Sequence, residues 1–446
     1  MAEIRKFYYR TLEDLRKEIQ LLGLNIPISE NFDVLSDAVE LSGGTVIPNR
    51  LAIHPMEGAD ANPDGTPGDL NIRRYQRYAD GGSGLIWFEA VAINQMGRAN
   101  DQQCFLNKET VDQFKELVEM VRERAEEKDG EGFNPYLVIQ LTHSGRFGQH
   151  NKILYHHDLV DNAAAANIDP DHPVMKDEEL ERLEDYFVEA AELAREAGFD
   201  AVDIKACHRY LLSENLAAFT REGKYGGDYQ NRTRLMKNAI KKINERVDID
   251  LVTRLNIYDA IPYPYGWGSD KNGNEQHDDP RRLIRELDEL GIKLINITAA
   301  TPYLYPHINR PYDQPGNLGY QPPEHPLLGV ERLLRLARVT SEETKNAKVV
   351  GTGYSYLREF APYVAAAVIE RGWSDIIGFG RQAFAYPDFA RDIISNKSMV
   401  KRKVCVTCSK CAELKAQKKH SGCVVRDRDV YLPIYQQLLE EYKKQA

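Results

Sequence analysis

Short apolar runs alternate with longer amphipathic runs along the chain from about residue 45 to residue 395. The longer runs repeat apolar side chains at the three- and four-residue spacing of a helix. Near-continuous apolar strands that alternate with helices predict a parallel sheet covered by helices on both faces. The predicted strands are Arg50–His54, Gly84–Phe88, Tyr136–Thr142, Ala201–Ala206, Leu251–Leu255, Lys293–Thr298, Val349–Gly353 and Asp375–Gly380. The predicted helices include Glu109–Glu126, Asp177–Ala197, Arg232–Glu245, Pro280–Leu290, Gly329–Val339 and Tyr356–Arg371.

Eight such strands predict an α/β fold, a (β/α)8 TIM barrel with long loops. The competing interpretation, an open doubly wound sheet, expects a glycine-rich turn after the first strand. The sequence there is HPMEGAD, which is not such a turn. We expect an N-terminal cap over residues 1–45, the barrel over residues 46–396, and a short cysteine-rich segment with a C-terminal helix over residues 397–446.

Four long loops follow predicted strands and should therefore lie at the carboxyl end of the barrel, where barrel active sites are found. They are Gly97–Asn107, Ser144–Pro173, Ile257–Asp279 and Ala299–Pro326. The last two are rich in aromatic residues. These aromatic loops either wall an apolar substrate pocket or are ordinary surface loops packed by Tyr and Pro.

Composition and charge narrow the function. The 446 residues are 42% hydrophobic, enough for a large core, and the formal net charge of −10 argues against a nucleic-acid binder. The first 19 residues have no apolar core of the kind that a secretory signal needs, and no apolar run approaches the roughly 20 residues of a membrane span. We expect a cytoplasmic protein that acts on a small molecule, with no membrane partner.

Four of the six cysteines form a C-x2-C-x2-C-x11-C pattern near the end of the chain. Cysteines at successive three-residue steps, closed by a distant fourth, favour a [4Fe–4S] cluster. A structural zinc, which normally uses two separated pairs, is the alternative. Free thiols beside several lysines would be prone to oxidation. The four are Cys405, Cys408, Cys411 and Cys423.

Glycines and an arginine end the last two predicted strands. Gly351 and Gly353 end the seventh, and Gly378, Gly380 and Arg381 end the eighth. Small residues at these two strands, with a forked donor, are typical of a barrel phosphate site. Alternatively, the glycines only relieve crowding in the barrel.

Gln140 lies in the third predicted strand and Arg254 near the end of the fifth. A Gln amide can pair with a planar heterocycle, and an Arg can stabilise a ring that gains negative charge on reduction. The alternative for Arg254 is a structural ion pair with Asp203 or Glu89. The fourth strand ends in the polar run that contains Lys205, Cys207, His208 and Tyr210, which is costly to bury without partners or a ligand.

Together these residues resemble the old yellow enzyme family of FMN-dependent barrel oxidoreductases over about residues 45 to 395. The matching segments are NRLAIHPMEG, QLTHSGR, HRYLLSENLAAFTREGKYGGDYQNRTR, TR, VVGTG and IIGFGR. The cysteine cluster is similar to the branch that contains 2,4-dienoyl-CoA reductase and trimethylamine dehydrogenase, which carries FMN and [4Fe–4S] side by side. Many of its members continue into a second flavin- and nicotinamide-binding half. No Gly-x-Gly-x-x-Gly follows the barrel here, so we expect a member that lacks this half.

The resemblance implies a role for each matching residue. Near the flavin it places Pro55, Met56 and Glu57, with Gln140 at the pyrimidine edge, Arg254 at N1 and O2, and Gly353, Gly380 and Arg381 at the phosphate. It assigns the cluster to Cys405, Cys408, Cys411 and Cys423. Glu57 stands where the family often has Thr or Cys, and Lys205 where it usually has His or Tyr.

The implied activity is that of an ene-reductase that transfers hydride from FMN N5 to an activated C=C bond. His208, with Lys205, would hold the activating carbonyl or carboxylate, and Tyr210 would donate the proton. Alternatively, His208 is a core histidine bonded to backbone, and Lys205 pairs with Glu57 or Glu89.

Other functions stay open on the sequence. The chain could be an amine or alcohol dehydrogenase that passes electrons out through the cluster, a Schiff-base lyase that uses Lys205, or an electron-transfer subunit. We expect electrons to enter from a ferredoxin, flavodoxin or reductase partner, with NAD(P)H as the rival donor. The sequence leaves open whether the protein is a homo-oligomer.

Overall fold

Eight parallel strands close into a barrel in the computed structural model, which describes residues 6–317 and 319–445. The barrel closes where the last strand pairs with the first, with Gly378 opposite Ala52. This confirms the predicted (β/α)8 fold. We number the barrel strands β1 (Leu51–Ile53), β2 (Leu85–Ala92), β3 (Tyr136–Thr142), β4 (Ala201–Ile204), β5 (Asp250–Tyr258), β6 (Leu294–Ala299), β7 (Lys348–Gly351) and β8 (Ile376–Phe379).

The strands read as apolar runs because both of their faces are buried. Alternate residues such as Leu85, Trp87 and Val138 fill the barrel interior, while their neighbours pack against the surrounding helices. A two-stranded antiparallel hairpin, Val39–Glu40 with Val46–Ile47, adds apolar side chains to the interior cluster. Sequence analysis did not predict this hairpin.

The helices cover the outside of the barrel, and most lie within a few residues of their predicted bounds. The predicted helix Tyr356–Arg371 begins instead as the 3-10 segment Tyr354–Phe360, because Arg358 has a φ of 52° and a ψ of −128°. The α-helices are Leu12–Leu21, Asp69–Ala79, Val111–Asp129, Asp158–Asp161, Asp177–Glu196, Leu211–Leu216, Tyr229–Arg246, Asp278–Glu289, Pro306–Asn309, Pro326–Ser341, Ala361–Glu370, Arg381–Ala385, Phe389–Asn396, Lys410–Ala416 and Arg428–Gln445. Shorter 3-10 segments are Phe32–Leu35, Gln95–Gly97 and Gly145–Phe147.

The division into three parts stays a prediction. Its outermost residues, 1–5 and 446, lie outside the described residues. Contacts cross the first boundary, since Ser29 N donates to Tyr363 O at 2.9 Å. Among the helices that the structure describes, none is both long and apolar enough to cross a membrane.

The cysteine-rich segment lies against the loops at the carboxyl end of the barrel. Cys405 N donates to Gln382 Oε1 at 3.0 Å, just after β8. Ser421 N donates to Gly58 O at 2.6 Å, in the loop after β1. The segment therefore sits beside the loops where the predicted site residues lie.

Candidate functional site

A buried carboxylate, Asp203, organises the interior of the barrel near its carboxyl end. Its oxygens accept hydrogen bonds from Trp87 Nε1 at 2.9 Å, Gln140 Nε2 at 2.6 Å and the backbone N–H of Arg254 at 2.8 Å. Burial raises the pKa of Asp203 to about 6, although these donors oppose the shift. Because the Gln140 amide nitrogen is held by Asp203, the amide oxygen is the group left to accept a bond from a ligand.

The Arg254 side chain has no protein partner among the described residues, and its Nε is buried. Burial lowers the pKa of this guanidinium. In the described part of the chain Arg254 forms no close ion pair with either predicted carboxylate: Asp203 accepts from other side chains, and Glu89 Oε1 accepts from Arg74 Nη2 at 2.6 Å. The Asp203 charge still opposes the effect of burial on the Arg254 pKa. A buried cation without a close counter-ion is costly, so this position fits a ligand ring that carries or gains negative charge.

The glycines in and after the last two strands, β7 and β8, allow close approach of backbone and side chains. A Cβ on Gly378 would lie 2.1 Å from His54 Cε1, so this glycine relieves crowding, as the alternative interpretation held. A Cβ on Gly380 would lie 2.9 Å from Met56 Sδ, and Gly353 has a φ of 102°, which favours glycine. Pro55 and Met56, which were predicted to lie near the flavin, are neighbours in the loop after β1.

Two arginines beside these glycines lack anionic partners in the described part of the chain. Arg381 Nη2 donates to Pro311 O at 2.7 Å, but Arg381 Nη1 and Arg310 Nε are buried without a partner. Burial, together with the charge of Arg381, lowers the pKa of Arg310 to about 10. Two cations that face each other without an anion form a cradle suited to a phosphate group. Sequence analysis did not predict Arg310.

The end of β4 carries a strained turn. His208 and Arg209 both have a φ of 62°, a conformation that side-chain-bearing residues rarely adopt. His208 Nε2 lies 2.9 Å from Asn309 Nδ2, and because an amide nitrogen only donates, Nε2 accepts and Nδ1 carries the proton. Burial and the charge of Arg254 lower the pKa of His208, so the ring is neutral. The described ring bonds of His208 go to side chains, whereas the alternative interpretation expected a core histidine bonded to backbone.

Tyr210 lies between a second tyrosine and an ammonium group. Its Oη is 2.9 Å from Tyr303 Oη, and Lys205 Nζ lies 4.0 Å from the centroid of its ring. Burial raises the pKa of Tyr210, and the hydrogen bond with Tyr303 adds to the effect. A phenol held in this way is protonated at neutral pH and has a partner for its oxygen.

The aromatic loops after β5 and β6 meet around Tyr210. Ile261 and Tyr265 come from the first loop, Tyr303 comes from the second, and Phe147 joins them from the loop after β3. The ring centroids of Phe147 and Tyr303 are 4.1 Å apart. This clustering favours the interpretation of the loops as the wall of an apolar pocket.

Glu57, predicted to lie near the flavin, is held between two lysines. Its Oε2 lies 2.7 Å from Lys415 Nζ, and its Oε1 lies 3.7 Å from Lys205 Nζ. Burial pushes the pKa of Glu57 up, but the two ammonium groups together bring it below its usual value. The pairing of Lys205 with Glu57 was one of the predicted alternatives. The participation of Lys415 was not predicted.

Several motif residues hold the site rather than line it. Arg146 Nε donates to Glu214 Oε2 at 2.6 Å and joins the loop after β3 to the helix after β4. Arg232, in the motif YGGDYQNRTR, donates to Leu216 O at 2.5 Å and to Asp279 Oδ2 at 2.7 Å. Because these two arginines are paired, they can stay charged although they lie inside the protein.

The four clustered cysteines interact electrostatically with one another. Cys405 Sγ accepts from Thr407 N at 3.4 Å and Cys423 Sγ from Arg426 N at 3.3 Å. Burial, with the neighbouring cysteines, raises the pKa values of the Cys411 and Cys423 thiols to about 12. Within residues 6–317 and 319–445, however, no three His, Cys, Asp or Glu side chains are arranged to hold a metal ion. The donor set fits an iron–sulfur cluster by its chemistry, but the assembled site is not confirmed.

Sequence comparison identifies relatives over the barrel. The sequence profile described as the NADH:flavin oxidoreductase / NADH oxidase family matches residues 41–298. A NADPH dehydrogenase of Listeria monocytogenes serotype 4b (strain CLIP80459) is 29% identical over 276 residues, which cover 60% of this chain and 75% of that protein. A NADPH dehydrogenase of Bacillus subtilis (strain 168) is 29% identical over 219 residues, 48% of this chain and 61% of that protein.

Solved structures share the fold. A 2-naphthoyl-CoA reductase in complex with 2-naphthoyl-CoA superposes with a TM-score of 0.70 at 18% identity, over 89% of this chain and 57% of that one. Histamine dehydrogenase from Rhizobium sp. 4-9 superposes with a TM-score of 0.67 at 18% identity, over 89% of this chain and 52% of that one. The old yellow enzyme homologue from Zymomonas mobilis superposes with a TM-score of 0.61 at 21% identity, over 82% of this chain and 94% of that one. This chain thus spans about half the length of the first two proteins.

Proposed function

The chain belongs to the NADH:flavin oxidoreductase / NADH oxidase family and is a flavin-dependent oxidoreductase, and from this premise we propose that it is an ene-reductase with Tyr210 as proton donor. The observation that carries the proposal is the position of Tyr210, whose hydroxyl lies 2.9 Å from that of Tyr303 and whose ring lies under the Lys205 ammonium. A buried acid of this kind is suited to protonating a substrate carbon.

The unpartnered polar atoms of the site support FMN as the cofactor. Arg254 and the Gln140 amide oxygen would bind the flavin ring, and Pro55 and Met56 would pack beside it. The phosphate would be held by Gly353, Gly380, Arg381 and Arg310. When bound, FMN supplies a carrier that accepts an electron pair and delivers it to the substrate as hydride.

The residues of this chain would perform the remaining steps. His208 Nδ1–H and the Lys205 ammonium bind the activating group of the alkene and withdraw electron density from its C=C bond. Tyr210 donates its hydroxyl proton to the carbon next to the activating group. Tyr303 then donates its own proton to the Tyr210 oxygen, and Tyr303, being less buried, recovers a proton from solvent.

We propose NAD(P)H as the electron donor, which the family and the NADPH dehydrogenase relatives support. A [4Fe–4S] cluster held by Cys405, Cys408, Cys411 and Cys423 would supply one-electron transfer. A ferredoxin, flavodoxin or reductase partner is the second candidate donor. Rapid mixing separates the two: bleaching of the flavin by NAD(P)H alone, at the rate of turnover, supports direct reduction.

The charges of the site bear differently on the two alternative enzymatic functions. A cationic amine would meet three positive groups, Lys205, Lys415 and Arg254, against the two carboxylates of Glu57 and Asp203. A Schiff-base lyase needs a neutral Lys205; burial lowers the pKa of this lysine, and the neighbouring Glu57 carboxylate opposes that shift.

The test replaces Tyr210 with Phe and follows reoxidation of dithionite-reduced holoprotein by crotonate and by 2-cyclohexenone. We expect the rate to fall by about 10²- to 10⁴-fold, the usual contribution of a general acid, while FMN stays bound. Tyr263→Phe, at an exposed tyrosine of the loop after β5, is the control and should leave the rate unchanged. An unchanged rate for Tyr210→Phe would rule out its role as proton donor.

A further inference from the structure

Glu57 connects two lysines that are far apart in the sequence. Lys205 comes from the end of β4, and Lys415 comes from the helix Lys410–Ala416, which also carries Cys411. The lysine and glutamate side chains are 3% exposed for Lys205, 12% for Glu57 and 36% for Lys415. The cysteine-rich segment therefore contributes a cation to the same site as the fourth barrel strand.

The charges of this cluster do not balance. Glu57 offers one negative charge to two ammonium groups, and neither lysine forms an ion pair with another carboxylate in the described part of the chain. Glu89, the other carboxylate predicted as a partner of Lys205, forms an ion pair with Arg74 instead, and its Oε1 lies 2.6 Å from Arg74 Nη2. The His208 ring and the Tyr210 phenol nearby are neutral. One positive charge is left over, and a buried charge without a partner is costly.

The distances show which ammonium is available. Lys415 holds Glu57 at 2.7 Å, a normal hydrogen-bond length, whereas Lys205 stays at 3.7 Å from the same carboxylate. Lys205 lies instead 4.0 Å from the centroid of the Tyr210 ring. Its ammonium thus keeps donors for a ligand next to the proposed proton donor.

We propose that Lys205, whose counter-ion Glu57 is held by Lys415, forms an anion-binding site, and that the site selects alkenes whose activating group is an ionised carboxylate. The inference rests on the proposed ene-reductase function and names its substrate class. A carboxylate would neutralise the remaining positive charge, whereas a neutral carbonyl would leave it buried and unpaired. Lys415 acts as a positioning residue, because it draws Glu57 away from Lys205.

The first experiment measures binding of benzoate and benzamide to oxidised holoprotein by calorimetry. The two probes are planar and of similar size, and only benzoate is charged. We expect benzoate to bind at least tenfold more tightly. Lys205→Met and Lys415→Met should each raise its Kd by about 10- to 150-fold, since a hydrogen bond to a charged group contributes about 1.5 to 3 kcal/mol. The Kd of benzamide should change less than threefold.

Lys418→Met is the matched control, because Lys418 is an exposed lysine just after the same helix and its side chain has no partner among the described residues. It should leave both Kd values unchanged. Lys415→Met keeps the Lys205–Glu57 pair, so it tests the proposal even where Lys205→Met folds poorly. Equal binding of the two probes by the unmodified protein, or an equal loss for both in Lys415→Met, would overturn the inference.

Turnover separates this inference from the function on which it rests. Dithionite-reduced holoprotein is mixed with crotonate and with 2-cyclohexenone. Faster reduction of crotonate supports the inference. If 2-cyclohexenone is reduced at least as fast as crotonate, and benzoate binds no more tightly than benzamide, the inference is overturned and the ene-reductase function is left intact. Selective benzoate binding without reduction of either alkene supports the anion site and contradicts the ene-reductase function.

Discussion

Replacing Arg254 with Met should change flavin affinity and apoprotein stability in opposite directions. The guanidinium is buried and its side chain has no hydrogen-bond partner among the described residues, so the apoprotein bears a desolvation cost that the charge of Asp203 only partly offsets. Methionine keeps much of the side-chain volume and removes the charge. Replacement of buried charges by apolar groups of similar volume is often neutral or stabilises by about 1 to 4 kcal/mol.

The size of the thermal shift follows from the chain length. At about 2.1 cal/mol/K per residue, a chain of 446 residues has an unfolding entropy of about 0.9 kcal/mol/K. One kcal/mol therefore shifts Tm by about 1 °C, and the Arg254→Met apoprotein should unfold about 1 to 4 °C higher. Flavin binding loses a charged donor worth about 1.5 to 3 kcal/mol, so the Kd of FMN should rise by about 10- to 150-fold.

The assays are calorimetric melting of flavin-free protein and fluorescence titration with FMN. Arg146→Met is the control, because Arg146 is also buried but is paired, with Glu214 Oε2 at 2.6 Å and Tyr155 O at 3.0 Å. Breaking that pair should destabilise the apoprotein by about 3 to 5 kcal/mol. If Arg254→Met lowers Tm as Arg146→Met does, or changes the Kd of FMN less than threefold, Arg254 is a structural residue and the reasoning fails.

Two further predictions concern the cysteines and a buried histidine. Cys423→Ser should lower the iron and acid-labile sulfide content of anaerobically purified protein, whereas Cys104→Ser, at a buried cysteine outside the pattern, should not; equal contents would contradict the cluster. Burial lowers the pKa of His143 from 6.5 to about 3, so the unfolded chain binds the extra proton first, and the stability is present above pH 6.5 and lost as the pH falls below it. At pH 5 this loss is about 2 kcal/mol. Urea unfolding of the apoprotein at pH 7.5 and pH 5 should therefore show a loss of stability that is about 2 kcal/mol smaller in His143→Gln than in the unmodified protein, because other buried histidines such as His208 contribute equally to both.

The barrel could be predicted because each strand is buried on both faces, which leaves an uninterrupted apolar run in the sequence. β3 was predicted with its observed bounds, Tyr136–Thr142. The hairpin formed by Val39–Glu40 and Val46–Ile47 was missed because two-residue strands leave no periodicity to detect.

Candidate site residues that lie in strands could be predicted, whereas those that lie in a long loop or beyond the barrel could not. Gln140 and Arg254 lie in strands, so their strand positions alone bring them to the same end of the barrel. Arg310 lies in the long loop after β6, and Lys415 lies beyond the barrel. Neither position follows from a periodic pattern, because tertiary packing alone brings these side chains to the site.

The two departures from the family pattern, Lys205 and Glu57, explain each other once Lys415 is included. A lysine buried at the end of β4 requires a nearby carboxylate, and Glu57 in the loop after β1 is the only one bound to it in the described structure. That carboxylate alone would hold the ammonium and leave it unable to bind a substrate anion. Lys415 binds Glu57 at the shorter distance and so satisfies the carboxylate without removing it. The ammonium of Lys205 can then be stabilised in the empty site and still exchange its weak partner for a ligand, which a lysine with a single close counter-ion could not do.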